Sequence, residues 1–287
     1  GAIQTQSDGG DAWKVNAERL LVTQVPPTLT GVLQARLDGL PVAEKRALQQ
    51  ASVVGAVFWD QALAAVDAQA AEHLPALVQR ELTLPRTDAQ LEGLREYAFR
   101  HQVLHQVTYD TVLKVHKRDG HARVAQWLAG LTGQGSLRAG DVLGMAAEHF
   151  EQAGDEANAA EFHARAAEHA AQRFAHDRVL EHVNRALAML GEAHAAPPAQ
   201  LQLRWRLLSA HEQTLFLQAR RDEQAADLDA MAQLADALND DRRRAEVSRR
   251  RGIRAMRMAD WAVLDGAARD GMASATRAGD EGLRLQA

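Results

Sequence analysis

At 287 residues the chain is long enough for two domains or one extended array; 46% of it is apolar, but aromatics reach only 5%. It has no cysteine, which excludes disulfides and thiolate metal sites and fits a reducing cytoplasm, and its net charge of −5 argues against general affinity for nucleic acid. No apolar run of about 18 residues is present, so no membrane span is expected, and the N-terminus lacks the basic and apolar regions of a signal peptide.

The first segment, GAIQTQSDGGDAWKV, reads as a small hairpin turning at Ser7-Asp8-Gly9-Gly10. After Pro26-Pro27, Thr28 is the expected cap of a helix over 29–40, with Val32, Leu33, Leu37 and Leu40 at helical spacing. Pro41 opens a second helix, stopped at Gly55. A short third helix is expected over about 59–66 and a fourth over about 70–81. Residues 82–85 and 96–99 then pair as two strands around a polar loop. Residues 96–100 turn at His101 into a helix with no breaker until Gly120.

Only helices are expected beyond Gln102. Residues 130–140, with four glycines, form the clearest connector. Next comes a helical hairpin in which Phe150 closes one helix, Gly154-Asp155 turns, and Ala159 and Ala166 are the small packing positions of the next. A second pair of helices continues to Leu190. Farther on, Ala235-Asp236-Ala237-Leu238-Asn239-Asp240 aligns with Ala275-Thr276-Arg277-Ala278-Gly279-Asp280, a period of 40 residues. Such periods belong to solenoids of helix pairs. The expected fold is therefore mainly α: the tail of an upstream module over 1–27, a winged-helix-like domain with a small β-hairpin over 28–131, and tetratricopeptide-like repeats over 132–287. Both ends look cut, as in a fragment of a longer polypeptide.

Three stretches resemble a known family. VPPTLTGVLQARLDGLPVAEKRALQQASVVGAVFWDQAL, EYAFRHQVLHQVTYDTVL and EHFEQAGDEANAAEFHARAAEHA are similar to the region after the ATPase core in bacterial signal-transduction ATPases with numerous domains. Relatives of that kind join the core to a class III adenylate/guanylate cyclase domain or to a LuxR-type output. The resemblance covers about residues 1–190, with Val25-Pro26 and Phe99-Arg100-His101 its most specific points. It implies a cytoplasmic, non-catalytic regulatory segment. Its winged helix would relay the nucleotide state of an intramolecular ATPase module, with Phe99, Arg100 and His101 as the interdomain junction. Its repeat groove would bind a protein or acidic peptide. ATP and magnesium would belong to the upstream module alone, since the chain has no Gly-Lys pair and so no phosphate-binding G-x-x-x-x-G-K-[ST] loop. The alternative is a fragment of a DNA-binding transcriptional regulator, reading duplex through residues 70–81.

The sharpest local feature is the helix DRRRAEVSRRRGIRAMRMAD at 241–260, with eight arginines against three acids. At helical spacing Arg243, Arg250, Arg254 and Arg257 share one stripe, and Ala245, Ser248, Gly252, Ala255 and Ala259 share the opposite, close-packing stripe. The arginines are expected to face outward. They would serve either as an anion or acidic-partner surface, because guanidinium forks bind carboxylates bidentately, or as a solvated face paired with Asp222, Glu223, Asp227 and Asp229. The spacings His101/His105 and His116/His121 lack a third ligand, so no metal site is expected, and His101 is assigned to capping or orienting the strand-to-helix junction, with Arg100 anchoring a nearby carboxylate. No serine elbow or paired carboxylate suggests catalysis.

Overall fold

The computed structural model describes residues 3–5, 13–15, 27–87, 93–132, 139–191 and 196–286, most of them helical. No described helix is long and apolar enough to cross a membrane. The chain divides into two compact units, Gly1–His116 and Lys117–Ala287. The expected boundary at 131/132 is thus replaced by one within a helix.

In the first unit, β1 (Ile3–Thr5) pairs antiparallel with β2 (Trp13–Val15), Ile3 opposite Val15. The turn expected at 7–10 and the connector over 16–26 lie outside the described residues. Helix α1 (Pro27–Asp38) starts at Pro27 itself, ahead of the expected cap at Thr28; the fixed φ of proline suits a first turn. Helix α2 (Val42–Val54) follows Pro41 and buries Ala47, Leu48, Ala51, Val53 and Val54. It ends at Gly55, whose φ of 152° and whose missing β-carbon, 2.9 Å from the Val57 carbonyl oxygen if present, both require glycine. Gly55→Ala is expected to cost about 1–2 kcal/mol, whereas Gly31→Ala, in open space within α1, should be neutral or stabilise by up to about 1 kcal/mol. Urea unfolding of the two variants tests this pair.

The chain then forms β3 (Val57–Trp59), α3 (Asp60–Val66), a 3₁₀ turn (Ala70–His73), α4 (Leu74–Gln79), β4 (Thr83–Arg86) and β5 (Glu96–Phe99). The expected strand pair is present, with Thr83 opposite Phe99. A third strand, β3, pairs with the other edge of β5, so the order is β3-β5-β4, all antiparallel. The helix expected over 70–81 is split between the 3₁₀ turn and α4, with Pro75 in the first turn of the latter. Phe58, Leu63, Leu77 and Leu82 are fully buried in this unit's core.

The long helix expected from His101 to Gly120 is two helices, α5 (Gln102–Asp110) and α6 (Lys114–Leu131). Two threonine hydroxyls bond carbonyls at the break. Thr108 Oγ1 donates to the Leu104 carbonyl at 2.7 Å and Thr111 Oγ1 to that of Thr108 at 2.6 Å, hydroxyl bonds that compete with the helical ladder. Gly120 lies buried inside α6 and breaks nothing.

The second unit continues through α7 (Ala139–Ala153), α8 (Glu156–Gln172), α9 (His176–Leu190), α10 (Pro198–Leu217), α11 (Arg221–Ala237), α12 (Asp241–Arg257), α13 (Trp261–Ala278) and α14 (Glu281–Gln286). From α7 on, each helix packs on the next, and α8 also touches α10. Six turns share one geometry. A residue with left-handed φ stands at Gly154, Phe174, Ala219, Asn239, Ala259 and Gly279. The residue after it donates to the carbonyl five back, as in Asp155 N to Phe150 O, Asp240 N to Ala235 O and Asp280 N to Ala275 O. These are Schellman closures. The turns at 219, 239, 259 and 279 fall twenty residues apart, half the expected period of 40. Asp155, Asp240 and Asp260 then cap α8, α12 and α13 by accepting a backbone N–H three residues on. One helix, not a pair, runs up to Leu190.

Alanine at helical spacing makes this packing close. Ala160, Ala164, Ala167 and Ala170 of α8 meet Val179, Val183, Ala186 and Leu190 of α9 in one core cluster. Leu201, Trp205 and Leu208 of α10 meet Leu228, Met231 and Leu234 of α11 and Val247 of α12 in the next. Ala159 and Ala166 are buried as expected.

Candidate functional site

The expected arginine surface is built on α12, and its small stripe packs as anticipated. Ala245, Gly252 and Ala255 are buried, and a β-carbon on Gly252 would touch Leu264 Cδ1 of α13 at 3.4 Å. Ser248 is only half-buried and Ala259 is exposed in the turn.

The arginine stripe does not face outward, and this corrects the expectation. Arg243 lies with its guanidinium 5.0 Å from the centre of the Trp205 ring on α10. Arg250, with a side chain only 16% exposed, donates to Glu212 Oε2 at 2.6 Å and to Glu246 Oε1 at 2.5 Å. Arg254 donates to the backbone carbonyl of Arg221 at 3.0 Å. Arg257 alone of the four is exposed, in the last turn. The long arginine stems lie along α10 and reach polar groups at their ends. Of the acids expected to neutralise the run, Asp229 does pair, with Arg251 at 2.6 Å. Glu223 pairs with Arg220, and Asp227 lies 2.7 Å from His211.

The acid that holds Arg250 is Glu212, a residue the sequence reading missed. Its side chain is 3% exposed, and it also accepts from Gln224 Nε2 at 2.7 Å. Its one sequence signal is an acid inside RWRLLSAHEQTLFL. Burial opposes the charge on Arg250, but Glu246 and Glu212 outweigh it and hold the guanidinium more firmly protonated. A parallel pair of contacts fixes Arg206, which takes Glu168 and Glu161 at 2.8 Å each and is raised chiefly by its hydrogen bond to Glu168. Arg206, Arg250 and Trp205 line one cleft of about 530 Å³ among the alternate helices α8, α10 and α12.

Histidines form a second set. His121 of α6 meets His149 of α7, Nδ1 to Nδ1, at 2.8 Å. His163 of α8 meets His182 of α9 the same way at 3.0 Å, and His211 of α10 bonds Asp227 of α11 at 2.7 Å. Each thus links consecutive helices. Burial pushes His121 and His163 down to about 4, with Lys117 adding to the effect at the first and Arg185 and His182 at the second. His182 is also lowered, again by burial first. Of the histidines weighed from sequence, His105 bonds the Ser52 carbonyl at 2.9 Å and packs edge-on to Phe99, while His116 is exposed. Among the described residues no three histidine or carboxylate side chains are placed to share a metal ion.

Phe99, Arg100 and His101 all fall inside the first unit. Phe99 is a core residue against Phe58. Arg100 pairs with Glu81 as expected, but loosely, at 3.9 Å between two partly exposed side chains. His101 occupies the cap position of α5 in an extended conformation, but its side chain makes no capping hydrogen bond, so backbone geometry alone makes the junction. On the helix considered for duplex reading, Arg80 is committed to Glu44 at 2.6 Å.

A scan against protein-family models, a search of curated proteins and a search of solved structures each returned no match.

Proposed function

We propose that the chain is a non-catalytic, cytoplasmic regulatory segment of a multidomain signalling ATPase, and that its helical array docks a protein partner. The observation that supports this reading is the run of Schellman turns at twenty-residue steps from 219 to 279, together with the cleft lined from α8, α10 and α12. Regular stacking of helix pairs in which each contacts its neighbours is the logic of a tetratricopeptide-like solenoid. For the first unit, a winged-helix reading is supported by the order helix, strand, two helices, two strands and by the sheet order β3-β5-β4. The ATPase relationship rests on the three sequence stretches quoted above, and Phe99-Arg100-His101 would belong to the relay.

A regulatory segment should do no chemistry unaided. The purified 287-residue chain is expected to hydrolyse ATP and to form cyclic nucleotide no faster than buffer. A rate above that background, abolished by no plausible contaminant control, would sink the reading. Duplex DNA titrated at low salt, where phosphate contacts are strongest, is expected to give a flat mobility-shift curve. Tight binding there would favour the transcriptional-regulator alternative.

A further inference from the structure

Phe174 is out of place as a turn residue. It holds φ at 58°, a conformation that costs a non-glycine residue of order 1 kcal/mol or more. The five matching turns use two glycines, two alanines and an asparagine. The ring gains little burial in return, for the residue is 75% exposed. It stands on the rim of the α8/α10/α12 cleft, where a second large exposed apolar side chain, Leu217, is 52% accessible. Strain retained at an exposed aromatic on a cleft points to a use outside the fold.

The electrostatics of the cleft choose the kind of occupant. Its two cations, Arg206 and Arg250, are each held by two carboxylates: Glu161 and Glu168 for the first, Glu212 and Glu246 for the second. Glu168 and Glu246 line the cleft beside the two guanidiniums, while Glu161 and the buried Glu212 hold the same guanidiniums from outside the lining, so four carboxylates contact two cations in all. An incoming anion would have to displace a carboxylate already in place, whereas an incoming cation reaches Glu168 and Glu246 beside an aromatic face, with the net charge of the ion-pair cluster negative.

We propose that this cleft docks a basic segment of a partner protein, a lysine or arginine lying between the Phe174 ring and the Glu168 and Glu246 carboxylates, with a flanking apolar side chain on Leu217. This deepens the partner-binding reading above and depends on it, while replacing the acidic peptide expected from the arginine count with a basic one.

Two labelled peptides test it, Gly-Lys-Leu-Lys-Phe-Lys-Gly and the same peptide with glutamate at each lysine, titrated by fluorescence anisotropy at 0.15 M salt. The variant Phe174→Gly suits the left-handed turn and is expected to fold as well as the parent. The lysine peptide should bind the parent, and Phe174→Gly should weaken it at least tenfold. Glu168→Gln with Glu246→Gln should weaken it several-fold, and the glutamate peptide should not bind. Lysine-peptide binding unchanged in Phe174→Gly overturns the proposal, since it would be diffuse attraction to a chain of net −5. A glutamate peptide that binds and is lost in Phe174→Gly also overturns it, yet leaves a partner cleft standing. If neither peptide binds, both the charge assignment and the cleft fall.

Discussion

Acidification from pH 7 to about pH 5 is expected to destabilise the second unit by several kcal/mol, above the range in which most carboxylates titrate. The cause is the pair of imidazole–imidazole contacts, His121–His149 and His163–His182. In each, one Nδ1 donates and the other accepts. Protonating the accepting nitrogen breaks the bond, and a proton on either ring places charge in buried surroundings. His163 has no exposed surface, and the Arg185 guanidinium lies close enough to oppose a second positive charge. The folded values of His121 and His163, about 4, lie below the ordinary 6.5. Between these limits the unfolded chain holds more protons than the folded one, so stability rises with pH through that window. The contribution is complete above about pH 7, falls away as pH drops through 6.5, and is gone near 4. At 1.36 kcal/mol per unit, each histidine contributes at most about 3 kcal/mol. Urea midpoints at half-unit steps from pH 7.5 to 4.5 measure the slope. Replacing both members of one pair with asparagine, which keeps a hydrogen bond but does not titrate, should remove roughly half of it. A double variant that kept the parental slope would be incompatible with this account.

That pH response was not legible in the sequence, although all twelve histidines were. Spacing along one helix singles out His101/His105 and His116/His121. The actual partners stand on the next helix, 28 residues away for His121 and 19 for His163. For His163 the alignment depends on the Schellman turn at Phe174 and on how alanine lets the adjacent helices close. Local signals fared better wherever the physics is local. Pro41, Gly55, Gly154-Asp155 and the Asp240/Asp280 echo all act within a few residues, and each lies at a helix end. The two-strand pairing of residues 82–85 with 96–99 around a polar loop is also readable, whereas β3 is not. A three-residue strand has too little pattern to detect, and its pairing to β5 is set by the intervening helices. Residues 101–120 differ for another reason: Gly120 lies inside α6, and the helix ends instead at Asp110, where the hydroxyls of Thr108 and Thr111 bond backbone carbonyls.

The arginine helix shows how far a helical wheel reaches. It separates a small stripe from a basic stripe on α12 correctly, but it does not say which helix lies against the basic one. Here α10 does, bringing Glu212, whose burial makes Arg250 a structural cation. Truncating Arg250 to methionine keeps the stem's apolar packing but leaves the Glu212 carboxylate, 3% exposed, with Gln224 as its one remaining hydrogen-bond donor. An uncompensated buried charge of this kind costs about 3–5 kcal/mol. Glu212→Gln should cost less, because an amide keeps polar contact and Glu246 still neutralises Arg250 at 2.5 Å. Removing both ends of the contact, Arg250→Met with Glu212→Leu, should recover much of the loss, since desolvating the pair offsets most of its attraction. The thermodynamic cycle built from urea unfolding of the parent, both single variants of the Arg250→Met/Glu212→Leu pair and the double variant should give a coupling of about 2–3 kcal/mol. The same mutation on Arg257, which is exposed at the helix end, should change stability by no more than about 0.5 kcal/mol. Additive single variants would mean that the two side chains are solvated separately, and the outward-facing stripe read from the sequence would then be restored.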